Sequence, residues 1–352
     1  MELDLSILEQ KERALHAWLR GCASVIIGYS GGVDSAYLAK AAVDALGGRG
    51  VLAVTGLSPS YPAVQLNMAR RVAAEIDVAH LEIETREFDD PNYVANPIDR
   101  CYFCKAELFG QLVRLAREQG YDVVLDGSNA DDLDDHRPGH AAARELGVRS
   151  PLQEVGLGKA EIRWLSRRAG LPTWDVPASP CLASRVAYGS PVTPQRLQRI
   201  EEAESRLRDL YAWSELRVRY HDGLARLEVG VEDLSQLADP RLRAQTVDAL
   251  KSSGFARACV DLQGYRRGAL NEARSLGVTE ALSAGDGRRT AAASWLERLG
   301  LNATIERAGN DGEVAVITPD SGSVARLLTE QRAPVVAHCS ESGERYVTLR
   351  LY

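Results

Sequence analysis

Apolar positions follow two rhythms along the first part of the chain. Short apolar runs rich in β-branched residues alternate with longer stretches in which an apolar residue returns every three or four positions. The runs Ser24 to Tyr29, Val51 to Gly56, Ala79 to Glu84 and Tyr121 to Asp126 predict strands. The stretches Val33 to Leu46, Tyr61 to Ile76, Ala106 to Glu118 and Lys159 to Ala169 predict helices, the last ended by Gly170 and Pro172. Leu5, Leu8, Leu15 and Leu19 add one apolar helix face at the start. Strands alternating with helices predict an α/β fold with a doubly wound parallel sheet.

The pattern then changes. Pro177 to Pro194 is rich in Pro, Gly and Ser and reads as a loop that closes the first domain. Thr193 and Pro194 open a helix to about Leu210, with Thr193 as N-cap and Pro194 in the first helical position. Leu216 to Tyr220 and Leu224 to Val229 flank an Asp222-Gly223 turn, a hairpin signal. A helix at Arg241 to Ser252 and a strand at Ala256 to Asp261 follow. From about Ala273 come a polar linker (Ser283 to Arg289), a helix (Ala291 to Leu299), strands Ala303 to Ala308 and Glu313 to Ile317, a helix (Ser321 to Glu330), and strands Pro334 to Cys339 and Arg345 to Tyr352. This order faintly echoes the preceding helix–strand–strand–helix–strand, without a shared motif. The expected domains are 1–190, the α/β domain, then smaller α+β domains at 191–272 and 273–352.

Composition narrows the function. A formal net charge of -7 and a pI of about 5.5 argue against a stable nucleic-acid partner. No apolar run is long enough to span a membrane, and Met1 to Arg20 lacks a signal peptide's apolar core. The expectation is a cytoplasmic protein, whose six cysteines are free thiols or ligands rather than disulfides.

Chemistry concentrates where the first strand meets the first α/β helix, at Ser30-Gly31-Gly32-Val33-Asp34-Ser35. Two glycines let backbone approach a phosphate, the helix N-terminus adds positive potential, and Ser30 and Ser35 add hydroxyls. Asp34 either holds Mg²⁺ or caps the helix. The Gly-x4-Gly-Lys-Ser/Thr loop of kinase-like sites is absent. Gly127 and the acidic set Asp131, Asp132, Asp134 and Asp135 lie past the fourth strand, where such sheets bind ligands. These carboxylates read either as Mg²⁺ ligands or as a solvated turn. Arg217 and Arg219 alternate on one strand and point to one side, a pairing suited to a phosphate.

Ser30 to Ser35 resembles the signature of the PP-loop ATP pyrophosphatases (adenine nucleotide alpha hydrolase-like fold), which cleave ATP to AMP and pyrophosphate while adenylating a substrate. Further segments are similar to the LarE-type sulfur transferases: Ser58 to Pro62, Asn96 to Lys105, Asp126 to Pro138, Pro180 to Gly189, Leu216 to Tyr220 with Arg226 to Val229, and Asp261 to Asn271. The resemblance covers roughly residues 5 to 272. It implies ATP and Mg²⁺ as cofactors, and pyridinium-3,5-biscarboxylic acid mononucleotide, a nickel-pincer nucleotide precursor, as substrate. It implies nucleotide contacts from Ser30, Gly31, Gly32, Asp34, Ser35, Gly127 and Arg185, with Mg²⁺ at Asp34 and Asp131. Arg217 and Arg219 would hold the substrate phosphate. Glu204 and Glu228 would belong to a metal cluster at the interface of a homo-oligomer.

Cys101 and Cys104 form Cys-x-x-Cys, and Cys181 lies in a loop near Arg185. Cys-x-x-Cys alone fits a redox pair, a zinc half-site or an iron–sulfur half-site. Three thiolates suit a 4Fe–4S cluster with one iron open. The resemblance implies that Cys101, Cys104 and Cys181 carry sulfur for transfer, through such a cluster fed by a sulfur or sulfide donor or from Cys181 itself. A tRNA thiolase of the same superfamily and a non-catalytic nucleotide or redox sensor are the competing expectations.

Overall fold

A computed structural model describes residues 3–133, 138–177, 180–266, 268–269, 295–309, 312–341 and 344–352. Asp134, Asp135 and the expected linker at Ser283 to Arg289 lie outside the described residues. The chain divides into two compact units, Met1–Cys181 and Leu182–Tyr352.

The first unit runs α1 (Leu5–Arg20), β1 (Val25–Gly28), α2 (Val33–Leu46), β2 (Val51–Leu57), α3 (Ala63–Glu75), β3 (Ala79–Glu84), α4 (Pro91–Val94), α5 (Arg100–Gln119), β4 (Val123–Leu125), α6 (Pro138–Glu145), α7 (Pro151–Glu154) and α8 (Lys159–Arg168). Its four strands are all parallel, in the order β3-β2-β1-β4. Successive residues of β1 face opposite sides. Val25 and Ile27 therefore pack with Leu8, Leu15, Leu38, Ala42, Val72 and Leu165 from α1, α2, α3 and α8. Ile26 packs on the other face with Val54, Val124, and Phe109 and Leu112 of α5. Two cores on one sheet explain why β1 is an unbroken apolar run, and they meet the doubly wound expectation.

The second unit runs α9 (Pro194–Leu210), β5 (Leu216–His221), β6 (Leu224–Val229), a 3-10 turn (Leu234–Ala238), α10 (Pro240–Ser252), β7 (Arg257–Asp261), β8 (Ala303–Ala308), β9 (Val314–Pro319), α11 (Ser323–Leu328), α12 (Arg332–Glu341) and β10 (Tyr346–Arg350). Thr193 Oγ1 accepts from Arg196 N at 3.3 Å, so the N-cap is where its side-chain chemistry puts it. Asp222 (φ 46°) and Gly223 (φ 78°) both take the left-handed backbone of a type I′ hairpin turn. One six-stranded mixed sheet holds the order β5-β6-β7-β10-β9-β8. Strands from the 191–272 and 273–352 segments thus share a sheet.

One element corrects the sequence reading. Pro334 to Cys339, expected as a strand, lies within helix α12. The apolar run is short enough to suit either state. Its buried members, Val335 and Cys339, stand four apart, and Pro334 lies in the first turn, where its missing amide costs nothing.

Candidate functional site

The phosphate loop leaves the C-terminal end of β1. Gly31 has φ 63°, and a Cβ there would lie 2.6 Å from the Cβ of Ala69. Both the conformation and the space require glycine. Gly32 caps α2 without a side-chain hydrogen bond. Gly127 brings the chain after β4 against that turn, and a Cβ there would meet Ser35 N at 3.0 Å. Ser30 N donates to Ser35 Oγ at 3.2 Å, and Ser35 Oγ donates to the Gly32 carbonyl at 3.2 Å. Tyr61 Oη and Gln65 Nε2 each donate to the Ser30 carbonyl at 2.8 Å and brace the loop from outside.

Asp34 is held by two residues that sequence reasoning missed. Lys159 Nζ, at the start of α8, pairs with Asp34 Oδ2, and Asn129 Nδ2 donates to Oδ1 at 3.3 Å. Asp132 Oδ2 accepts from Asn129 N at 3.0 Å, and Asp131 Oδ2 accepts from Lys159 N at 2.9 Å. The acidic turn is a scaffold that aims Asn129 and Lys159 at Asp34. The available signal was the pair Gly156 and Gly158 just before Lys159, where a tight turn feeds a helix. Asp34, with Oδ1 in a long contact, has the chemistry to meet a magnesium ion that draws its other ligands from phosphates. Asp131 already spends one oxygen on the α8 amide.

The thiols gather at the same edge of the sheet. Cys101 and Cys104 lie one turn apart on α5, hence on one face. Burial, followed by the neighbouring Cys181 sulfur, pushes the Cys101 thiol up. Burial, then Glu87 and Cys181, pushes Cys104 up. The three sulfurs therefore lie within electrostatic reach of one another, without being drawn into a closed ligand set among the described residues. Lys105 partly offsets both thiols, and Arg100 offsets Cys101. The Ser58 to Pro62 loop links Glu87, whose charge acts on Cys104, to the phosphate loop. Ser60 Oγ donates to Glu87 Oε1 at 3.3 Å, while Tyr61 holds the Ser30 carbonyl.

In the second unit Arg219 donates to Glu228 Oε2 from Nε at 2.8 Å and to the Ser184 carbonyl from Nη1 at 3.0 Å. Glu228 also pairs with Arg226 at 2.8 Å, and Arg226 reaches Asp261. Burial works against the charge on Glu228, yet Arg226 and Arg219 hold its carboxyl below the usual range. Arg185 Nε donates to Glu204 Oε1 at 3.1 Å, and Arg208 pairs with Glu204 at 2.7 Å. Glu204 is likewise held low against burial, first by Arg185. The two glutamates expected at a metal cluster are each engaged by two arginines. Arg185, expected at the nucleotide, lies in this unit. Burial and then Arg185 push Arg217 down, and Glu204 partly offsets them.

No helix among the described residues is long and apolar enough to cross a membrane. Residues 10–92 match the NAD synthase family model. An uncharacterised Synechocystis protein is 44% identical over 75% of this chain and 98% of its own length. The pyridinium-3,5-bisthiocarboxylic acid mononucleotide synthase of Lactiplantibacillus plantarum is 32% identical over 76% of this chain and 96% of its own. An uncharacterised Methanocaldococcus jannaschii protein is 30% identical over 69% of this chain and 90% of its own. These identities, with the glycine-built phosphate loop on a parallel sheet, identify an ATP-using enzyme: the chain belongs to the LarE-type family of PP-loop ATP pyrophosphatases.

Proposed function

We propose that this enzyme uses ATP to adenylate a carboxylate of pyridinium-3,5-biscarboxylic acid mononucleotide and then transfers sulfur to it. A carboxylate oxygen attacks the α-phosphorus and pyrophosphate leaves. Sulfur then displaces AMP at the carbonyl carbon. The observation that carries the reading is the Ser60–Tyr61 link between Glu87, whose charge acts on the Cys104 thiol, and the Ser30 carbonyl of the phosphate loop. The product named in the Lactiplantibacillus relative supports the choice of substrate.

Each group has a role in this reading. Loop amides, Ser30 and Ser35 receive the departing pyrophosphate, and Gly127 lets the chain close over it. Asp34, aided by Asp131, orients Mg²⁺, while Lys159 neutralises phosphate charge. Arg217 and Arg219 hold the mononucleotide phosphate, with Arg185 near Arg217 adding positive potential. Cys101 and Cys104 on one helix face, with Cys181 in electrostatic reach, offer the thiolate chemistry of a 4Fe–4S cluster with one open iron, although the three form no closed ligand set among the described residues. A cluster held there would supply the sulfide that is transferred. Burial pushes the Cys101 and Cys104 thiols up, so binding iron there would release protons. Without a cluster, Cys181 Sγ itself attacks the adenylate, AMP leaves, and elimination yields the thiocarboxylate and a dehydroalanine. A sulfur or sulfide donor and a homo-oligomeric assembly in the cytoplasm complete the reading.

The test is anaerobic purification, iron and labile-sulfide analysis, and assay with ATP and the mononucleotide. Absorption at ~400 nm with about four irons per chain, lost in Cys101→Ala, is the result expected for a cluster. Iron-free protein that transfers sulfur once per chain, and not as Cys181→Ala, assigns the sulfur to Cys181. Absence of mononucleotide-dependent pyrophosphate release overturns the substrate.

A further inference from the structure

The second sheet contains a repeat in strand order and pairing direction. β5 and β6 form an antiparallel ladder from Leu216↔Val229 to His221↔Leu224, and β8 and β9 form one from Ala303↔Pro319 to Ala308↔Val314. Then β6 pairs parallel with β7, Leu224↔Arg257, and β9 pairs parallel with β10, Val314↔Tyr346. Overlaying the ladders matches Leu224 with Val314 and Arg257 with Tyr346. It follows that Cys259 matches Thr348, Val260 matches Leu349 and Asp261 matches Arg350. If a two-fold axis relates the halves, β7 and β10 must pair antiparallel, and a Cys259–Arg350 pair must come with its equivalent, Asp261–Thr348. The β7–β10 ladder, which played no part in the matching, has that direction and centres the axis on the Val260–Leu349 pair. The helical elements agree. The 3-10 turn before α10 matches α11 before α12, and turn and α11 pack on each other, as equivalent parts beside a two-fold axis do.

The halves have diverged in charge. Arg219, Arg226 and Glu228 match Glu306, Val316 and Thr318, so the arginine cluster exists in the first half alone. The second half reaches into it. His221 Nε2 accepts from Arg226 Nε at 3.0 Å, so the ring proton is on Nδ1, which donates to Glu313 Oε1 at 2.7 Å. The Arg226 guanidinium lies 3.8 Å from the centroid of the Tyr346 ring, and its Nη2 has no hydrogen-bond partner among the described residues. The ring face is the contact that accommodates that buried charge. Glu313 precedes β9 and Tyr346 opens β10, both in the second half.

We propose that the C-terminal segment is a diverged copy of the α9-to-β7 unit, docked on it as a built-in partner, and that Glu313 and Tyr346 are positioning residues for the arginine cluster. They act through His221 and Arg226, which hold Glu228 and through it Arg219. This rests on the reading that Arg217 and Arg219 hold the mononucleotide phosphate.

The test uses full-length protein with Glu313→Ala, Glu313→Gln and Tyr346→Leu. Isothermal titration with the mononucleotide is expected to give Kd about tenfold weaker for Glu313→Ala and Tyr346→Leu, with ATP affinity unchanged. The kcat at saturating mononucleotide should stay within about twofold. Glu313→Gln, which keeps an acceptor for the His221 Nδ1–H, should restore most of the affinity. Nitrogen-15 NMR of the histidines should show the His221 Nδ1–H tautomer in wild type and its loss in Glu313→Ala. Wild-type binding that Glu313→Ala leaves untouched, or an equal fall in ATP affinity, overturns the positioning role. A wild-type protein that binds ATP and not the mononucleotide overturns the functional reading and this role with it.

Discussion

Between Ser30 and Ser35 the chain offers backbone amides and hydroxyls to negative charge on a turn that glycine alone can make. Around Glu228 it is held by arginines, carboxylates and a histidine brought from β5, β6, β7 and the start of β9, and buried. The first arrangement depends on conformation and is contiguous in sequence. The second depends on mutual neutralisation and is assembled by strand register. Substitutions should therefore damage them differently, one losing ligand affinity and the other losing the fold.

The largest effect expected is on the second. Glu228→Ala leaves Arg219 and Arg226 buried without their shared carboxylate, at a cost of about 3–5 kcal/mol. Urea denaturation read from the second unit measures it. An unchanged midpoint would mean that the cluster rearranges freely and that the contrast is false. Gly31→Ala should give the opposite signature. Stability should fall by only about 1–2 kcal/mol from the left-handed backbone and the contact with Ala69, while ATP-dependent pyrophosphate release falls about 100-fold, or ~2.7 kcal/mol, because the new Cβ pushes the loop off Ala69. Equal losses in both measurements would erase the distinction.

Acid should separate the sites further. Burial, with Arg226 beside it, pushes His221 down to about 4 against the pull of Glu313 and Glu228. A histidine unfolded at its ordinary value of about 6.5 binds the proton more readily than this one does folded. Its contribution is thus fully present above that pH and is lost as pH falls toward 4. Denaturation midpoints of the second unit should drop through this window, less steeply in His221→Asn. A flat profile would remove His221 from the cluster's account. The smallest effect is expected from Lys159→Met, which should weaken ATP binding about tenfold, or ~1.4 kcal/mol, with reduced salt dependence. Unchanged affinity would leave Lys159 as a surface partner of Asp34.

What was legible in the sequence follows the same divide. The phosphate loop and the Asp222-Gly223 turn were readable because left-handed backbone restricts the residue choice at single positions. The two-faced burial of β1 was readable from its unbroken apolar run. That Arg217 and Arg219 share a side was readable from strand alternation; that Arg219 is tied to Glu228 depends on register. Lys159 stands 125 positions from Asp34, and no local pattern announces a pairing at that separation. Helix α12 was misread because six apolar-rich residues carry too few turns to separate a period of two from one of four.

The ladder joining β7 to β10 has a consequence for how this molecule meets dilution. An interface between two chains obeys mass action and empties as concentration falls. Here both faces belong to one polypeptide, so each meets the other at an effective concentration set by the connecting segment. Glu313 and Tyr346 stay against His221 and Arg226 at any protein level a cell maintains. Scarcity then changes how many enzymes there are, and leaves each one's arginine cluster complete.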